Sequence, residues 1–352
     1  MLRKIAAILL TTVAILAAGW LALRRPDIPY ETLETTYSLQ ESRFLTVQED
    51  IKLHYTDTGP RDAPVIVLVH GYAASLHTWK HWVRELDDTY RVITLDLPGH
   101  GLSRVPEGGR VSIDYYVETI DALLSKLNVS SVSLAGSSMG GQVAWEYALA
   151  HPGQLDSLVL VDAAGWPESE GEQPPFIFRL LRIPVARTLI KDLDLSGLIE
   201  DGLKNSVADP LFVSADMAER YSALSRAPGH RDALLRLMAD SPQREKASKA
   251  KLETISVPTL VLWGEQDRLI PVSNAARFEE AIPNAVAITY PDAGHLPQEE
   301  VWQESVADLQ AFLDQNVTGT AAGAGGGGSV EGPALTEVPA VTRTTGGGMR
   351  PR

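Results

Sequence analysis

The chain has 352 residues, with 45 acidic and 31 basic side chains, so its formal net charge is −14. Hydrophobic residues make up 44% of the sequence and charged residues 22%, which excludes a wholly disordered chain and a polytopic membrane protein. The acidic balance argues against a nucleic-acid partner, and the lack of cysteine excludes disulfides, thiolate catalysis and Cys-ligated metal sites.

An uncharged apolar run at residues 5–23 lies near the start of the chain, between Arg3-Lys4 and Arg24-Arg25. As a helix it would reach about 28 Å, close to the thickness of a bilayer core. We predict that residues 1–25 form a membrane anchor, because secretory signals have shorter apolar cores of about 7–15 residues. A cleaved signal is the alternative, with Ala17-Ala18-Gly19 as the cleavage site. We expect the rest of the chain outside the cytoplasm, anchored or secreted.

Short apolar runs alternate with helical patterns from residue 44 onward, which predicts an α/β fold with a mostly parallel central sheet flanked by helices. Two runs around a polar turn, 44–47 and 51–55, predict a hairpin. Further strands are predicted at 65–69, 92–95, 132–135, 158–161, 259–263 and 285–290, and helices at 79–86, 115–127 and 142–151.

The alternation breaks at residues 164–250, which are helical in pattern and rich in Pro, Arg and Leu. We interpret this segment as an inserted helical cap, so that residues 26–163 and 251–316 form the core. Residues 317–352 are mostly Gly, Ala, Thr, Val and Pro, a composition that predicts a disordered tail.

The sequence Gly136-Ser137-Ser138-Met139-Gly140 fits the pattern G-x-S-x-G. It follows a predicted buried strand and opens a predicted helix, the context in which such a serine is a nucleophile on a sharp turn. The simpler interpretation is a Gly-rich turn with Ser138 as the helix N-cap. We predict Ser138 as the nucleophile, and Met139 as an oxyanion donor through its backbone N–H.

A serine nucleophile needs a general base and an acid that orients it. His295 lies in a loop after a predicted strand and is the histidine that follows the 259–263 strand, which fits the order Ser, acid, His. Asp267 also follows a strand and is our preferred acid. Asp162, Asp292 and Glu265 are the alternatives.

The loop after the early strand 65–69 contains His70-Gly71-Tyr72. In this type of site that loop supplies the second oxyanion donor, so we predict the Tyr72 N–H for that role. His70 is expected to stabilise the loop by hydrogen bonding.

These segments together resemble the α/β-hydrolase superfamily. The residues that carry the resemblance are His70-Gly71, Asp96 to Ser103, Ser137 to Gly141, Trp263 to Pro271 and Gly294-His295. The nearer likeness is to capped bacterial serine esterases and lipases with an N-terminal leader. The run Leu158 to Trp166 is similar to the strand that enters the cap in those enzymes and in ring-cleavage-product hydrolases. The resemblance implies a triad of Ser138, Asp267 and His295.

We therefore predict a serine hydrolase for small-molecule or lipid carboxylic esters, with no metal or cofactor, bound to the membrane through residues 5–23. Trp166, Phe176 and Phe178 in the cap are candidate substrate-binding residues, although aromatic side chains pack cores as readily as pockets. The alternatives are a carbon–carbon bond hydrolase, a cofactor-free perhydrolase, an acyltransferase and a non-catalytic binding protein.

Overall fold

A computed structural model describes residues 2–48, 51–106, 108–167, 180, 183–241, 244 and 246–318. Eight strands form one sheet, and the helices pack mainly on its two faces. The strands are β1 Arg43–Thr46, β2 Lys52–Thr58, β3 Val65–Val69, β4 Arg91–Leu95, β5 Val132–Ser137, β6 Leu155–Val161, β7 Thr259–Gly264 and β8 Ala285–Tyr290. The α-helices are α1 Leu2–Leu23, α2 Tyr30–Tyr37, α3 Lys80–Leu86, α4 Ile113–Lys126, α5 Met139–Ala150, α6 Pro184–Ile190, α7 Ser196–Ser206, α8 Ala215–Ser225, α9 His230–Asp240, α10 Lys249–Leu252, α11 Ser273–Ala281, α12 Pro297–Glu300 and α13 Trp302–Leu313.

The sheet has the order β1-β2-β4-β3-β5-β6-β7-β8. Strands β1 and β2 form the predicted antiparallel hairpin, and β2 pairs antiparallel with β4. Every pair from β4 through β8 is parallel. The predicted α/β class with a mostly parallel sheet is therefore confirmed.

Both faces of the sheet are buried, as the continuous apolar strands require. In β3, Val67 and Val69 point into one core cluster, while Ile66 and Leu68 point into the other. The first cluster includes side chains of α4, α5 and α11, and the second those of α3 and α13. This alternation fixes the register of the central strands, because a one-residue slip would exchange the two faces.

The segment between β6 and β7 contains helices α6 to α9 and ends at α10. This segment contacts the N-terminal region of the chain: Trp20 of α1 donates from Nε1 to the Leu189 carbonyl at 2.8 Å. Arg25 pairs with Asp194 at 2.8 Å. Among the side chains of α1 that the structure describes, all but Trp20 are exposed, and the helix is long and apolar enough to cross a membrane.

A π-helical turn, Asp314–Thr318, continues α13 at the predicted boundary between core and tail. Val317 is buried and belongs to the second core cluster. Residues 319–352 lie outside the described part of the chain.

Candidate active site

Ser138 occupies the turn between β5 and α5 with a left-handed backbone, φ 55° and ψ −117°. Its N–H donates to the Val161 carbonyl at 2.9 Å, and its carbonyl accepts from the Ala164 N–H at 2.9 Å. The hydroxyl does not cap the helix. A strained conformation in a non-glycine residue is typical of functional positions. The turn thus holds the backbone of Ser138 on both sides while leaving its hydroxyl available.

Two glycines permit this turn. A Cβ at Gly136 would lie 2.1 Å from the Gly140 carbonyl oxygen, and one at Gly140 would lie 2.3 Å from the Val69 carbonyl oxygen. Real Cβ contacts are not this short. The glycines of the motif therefore allow β5, α5 and β3 to approach closely around Ser138.

His295 and Asp267 meet at the carboxyl ends of β8 and β7. His295 Nδ1 lies 2.7 Å from Asp267 Oδ2, and both side chains are almost completely buried. Asp267 Oδ1 also accepts hydrogen bonds from the N–H groups of Leu269 at 2.7 Å and Ile270 at 3.0 Å. With Nδ1–H directed at a carboxylate, Nε2 is left unprotonated in neutral His295, as a general base requires.

The other carboxylates weighed from the sequence have different positions. Glu265 and Asp292 are exposed, and Glu265 accepts from the Thr289 hydroxyl. Asp162 is fully buried at the end of β6. Asp162, Asp267 and His295 offer ligand atoms within 4.8 Å of one another. A metal ion bound by these three side chains would compete with the hydrogen bond between His295 and Asp267.

Sequence reasoning missed Glu300, whose carboxylate holds the loop that carries His295. It accepts from the N–H groups of Gly294 and Leu296, at 3.0 and 3.1 Å, on either side of the histidine. It also accepts from the Ala208 N–H at 2.6 Å. Burial raises the pKa of Glu300, and these N–H donors oppose the rise. The clue in the sequence was a carboxylate five residues after His295, at the end of a short helix that begins with Pro297.

The end of α7 and the residues after it lie directly against the loop that carries His295. The His295 N–H donates to the Ser206 carbonyl at 2.6 Å. A Cβ at Gly294 would lie 2.7 Å from the Ala208 nitrogen. The insertion between β6 and β7 therefore covers this edge of the sheet next to His295.

The two predicted oxyanion donors lie on loops around Ser138. Met139 is the first residue of α5, so its N–H has no acceptor within the helix. Tyr72 lies between Gly71, whose added Cβ would contact Ser138 Cβ at 3.1 Å, and Ala73, whose φ is 56°.

The His70 ring holds the same loop. It accepts from the Leu97 N–H at Nε2, so its protonated Nδ1 donates to the Gly71 carbonyl at 2.7 Å. His70 thus links this loop to the loop after β4, as expected.

Of the three candidate substrate-binding residues, the structure describes only Trp166; Phe176 and Phe178 lie outside the described residues. The Trp166 ring packs edge-on against Phe278 at 5.5 Å between centroids, with the Arg277 guanidinium 4.2 Å from its centroid. These are contacts with core helix α11. A cavity of about 620 Å³ lies elsewhere, between Asp27, Tyr30, Arg104 and Arg231, and no triad candidate lines it.

Comparison with known proteins identifies the family of the fold. Residues 64–300 match the family model of the α/β hydrolase fold. A 2-hydroxy-6-oxononadienedioate/2-hydroxy-6-oxononatrienedioate hydrolase of Cupriavidus pinatubonensis is 29% identical over 285 residues, covering 78% of this chain and 94% of that protein.

Two solved structures are similar over most of their length. A membrane phospholipase A, described as a bacterial virulence factor, has a TM-score of 0.68 and 26% identity, covering 90% of this chain and 99% of that one. A thermophilic esterase from Thermogutta terrifontis has a TM-score of 0.66 and 25% identity, covering 78% and 98%. With its sheet, its turn at Ser138 and this match over two thirds of its length, the chain belongs to the α/β-hydrolase family.

Proposed function

We propose that the protein is a serine hydrolase that cleaves carboxylic esters, including lipid esters, through an acyl-enzyme on Ser138. The observation that carries the proposal is the buried hydrogen bond between His295 and Asp267. It lies at the same edge of the sheet as Ser138, whose hydroxyl makes no capping hydrogen bond to α5. The similarity to an esterase and a phospholipase supports an ester as the substrate.

The reaction follows from these groups. His295 Nε2 takes the proton of the Ser138 hydroxyl as its oxygen attacks the ester carbonyl, and the N–H groups of Tyr72 and Met139 stabilise the oxyanion. His295 then gives the proton to the leaving alcohol, and the acyl group remains on Ser138. Water, deprotonated by His295, attacks the acyl-enzyme, and the acid leaves as the proton returns to Ser138. Asp267 orients His295 and stabilises its charged form.

A carbon–carbon bond hydrolase is the second candidate, and the Cupriavidus relative favours it. The same triad would serve, so only substrates separate the two activities. Turnover of a vinylogous 1,5-diketone acid that exceeds turnover of every ester would select this alternative.

We further propose that the segment 164–250 is a cap over the active site, with Trp166, Phe176 and Phe178 among its substrate contacts. Its hydrogen bond to the His295 loop supports this role. We also propose that α1 remains as an anchor with the catalytic domain outside the cytoplasm. Its length, its exposure and the ties of Trp20 and Arg25 to residues 189 and 194 support retention.

The test of catalysis compares the full chain with Ser138→Ala on p-nitrophenyl esters from acetyl to palmitoyl. Loss of a triad nucleophile is expected to lower kcat/KM by about 10³-fold or more. Ser137→Ala is the matched control, because it removes a buried hydroxyl only one residue away. The kcat/KM of this variant is expected to stay within about tenfold of wild type. Equal rates for wild type and Ser138→Ala would refute the proposed mechanism.

A further inference from the structure

Asp162 is a buried carboxyl group that the mechanism above does not use. It follows the last residue of β6, has a left-handed φ of 43°, and is 0% exposed. Its Oδ1 accepts a hydrogen bond from the Gly264 N–H at 3.0 Å. Its Oδ2 is equally buried, and among the described residues no N–H or O–H group donates to it. One oxygen of the carboxyl group therefore accepts a hydrogen bond, whereas the other is buried without a donor.

Those surroundings contain a second carboxylate. Asp267 and His295 present ligand atoms within 4.8 Å of Asp162. The other titratable groups that face Asp162 are Glu300 and Tyr290. Within the described ranges, neither Asp162 nor Asp267 pairs with a lysine or an arginine. Two ionised carboxylates without a neighbouring permanent cation repel each other strongly in a buried site, so one of them holds a proton.

The hydrogen bonds distinguish the two carboxyl groups. Asp267 receives three donors, from His295 Nδ1 and the N–H groups of Leu269 and Ile270. Asp162 receives only one, from Gly264. Because donors stabilise a carboxylate, Asp267 carries the negative charge and Asp162 the proton.

We propose that Asp162 is a protonated carboxylic acid that positions Asp267 by donating a hydrogen bond to it, so that the triad acid works as a pair of carboxyl groups sharing one negative charge. Asp162 is thus a positioning residue, acting on His295 through Asp267. The proposal deepens the proposed function and rests on its assignment of Asp267 and His295.

The electrostatics agree with this assignment. Burial and the negative charge of Asp267 raise the pKa of the Asp162 carboxyl well above its usual range, while the Gly264 N–H acts in the opposite direction. A donor on Asp267 also withdraws negative charge from the atom that stabilises the His295 imidazolium.

The pH dependence of kcat/KM separates a protonated from an ionised Asp162, because its acid limb reports the protonation of His295 in the free enzyme. Asp162→Asn replaces a neutral donor with another neutral donor, so the acid limb is expected to stay in place. Asp162→Ala removes the donor and is expected to move the limb to higher pH. Asp156→Asn is the matched control, since Asp156 lies near the opposite end of the same strand.

Opposite results would overturn the proposal. If Asp162 were ionised, Asp162→Asn would remove a negative charge near His295 and shift the acid limb to lower pH by about one unit or more. A limb that does not move in Asp162→Ala, with the variant folded, would deny Asp162 its positioning role.

A measurement without turnover makes the test independent of folding in Asp162→Ala. Infrared difference spectra between wild type and Asp162→Asn at neutral pH are expected to show the carbonyl stretch of a protonated carboxylic acid in wild type alone. Absence of that band would overturn the proposal, whatever the activity. If the band is present but Ser138→Ala is fully active, the proposed function fails and the protonation of Asp162 stands.

Discussion

Glycines allow the close packing around the turn that holds Ser138, and substitution of Gly140 tests that packing directly. Its substitution by Ala would push a methyl group against the carbonyl oxygens of Val69 and His70, at 2.3 and 2.5 Å. We expect Gly140→Ala to lower the free energy of unfolding by about 1–3 kcal/mol, the usual effect of overpacking, and to lower kcat as the turn shifts. Thermal unfolding monitored by circular dichroism measures the first effect.

The matched control for Gly140→Ala is Gly153→Ala. An added Cβ at Gly153 has no atom within 4 Å, and its backbone is not left-handed. Its Tm is expected to equal that of wild type or exceed it. Equal Tm values for both variants would contradict the tight packing around the turn.

The raised pKa of the Asp162 carboxyl group also predicts that the stability of the protein depends on pH. A carboxyl group whose pKa is raised on folding stabilises the folded state fully at pH values below its unfolded pKa, and this contribution is lost as pH rises toward the folded pKa. Asp162→Asn removes that dependence. The free energy of unfolding of wild type relative to the variant is therefore expected to fall by up to about 1.4 kcal/mol per pH unit above pH 4. Urea unfolding at pH 4, 5.5 and 7 measures it, and a constant difference would contradict the raised pKa.

The sequence indicated candidate site residues, but it could not predict which of them contact one another. Ser138 stood out because its motif joins a strand to a helix, and the structure confirms that context. Four carboxylates remained open as the acid because their distances to His295 depend on packing. Asp162 and Asp267 approach each other only because β6 and β7 pair in parallel across a long insertion. No local pattern predicts that contact.

Glu300 connects three elements through one carboxylate: helix α12, the His295 loop and the segment after α7. Glu300→Gln would place an amide NH₂ against backbone N–H donors. We expect it to lower kcat more than it raises KM, because His295 loses its fixed position, and to destabilise the fold by about 1–3 kcal/mol. Ester kinetics with urea unfolding measures both.

Glu304→Gln is the control for Glu300→Gln, because Glu304 is an exposed residue in the first turn of α13. It makes the same chemical change a short distance away. Wild-type kinetics are expected for this variant. A similar loss in both variants would show that the effect of Glu300→Gln is not specific to the contact with the His295 loop.

Element boundaries were predicted best where apolar runs are continuous. Strands β3 and β8 have the predicted bounds. Both are runs rich in β-branched residues, which favour strands, although only β3 is buried on both faces. Helix α5 begins at Met139, three residues before the prediction. Gly140 and Gly141 have low intrinsic helix propensity, yet close packing on β3 and β6 holds them in the first turn. Tertiary contacts, absent from a local pattern, account for the difference.

The proposed membrane anchor can be tested by adding charges to α1. The double variant Leu10→Arg, Ile15→Arg places two charges in the exposed apolar face of α1. Because each arginine costs about 2.5–3.5 kcal/mol at the centre of a membrane helix, we expect the variant to leave the membrane fraction, whereas the full chain stays in it after a carbonate wash.

Leu211→Arg is the control for that experiment, since Leu211 is 90% exposed but lies between β6 and β7. It is expected to fractionate as wild type. Ester hydrolysis by the released double variant is expected to match the full chain on water-soluble substrates. Recovery of the unmodified full chain, with α1 intact, in the soluble fraction would contradict the anchor.

The insertion between β6 and β7 has a consequence for the order of events during synthesis. Ser138 leaves the ribosome 157 residues before His295, an interval on the order of ten seconds. Strands β1 to β6 are complete in that interval, but β7 must wait for the inserted helices before it pairs with β6. With the proposed triad, Ser138 is therefore synthesised well before its base, and the site can form only once β7 and β8 have joined the sheet.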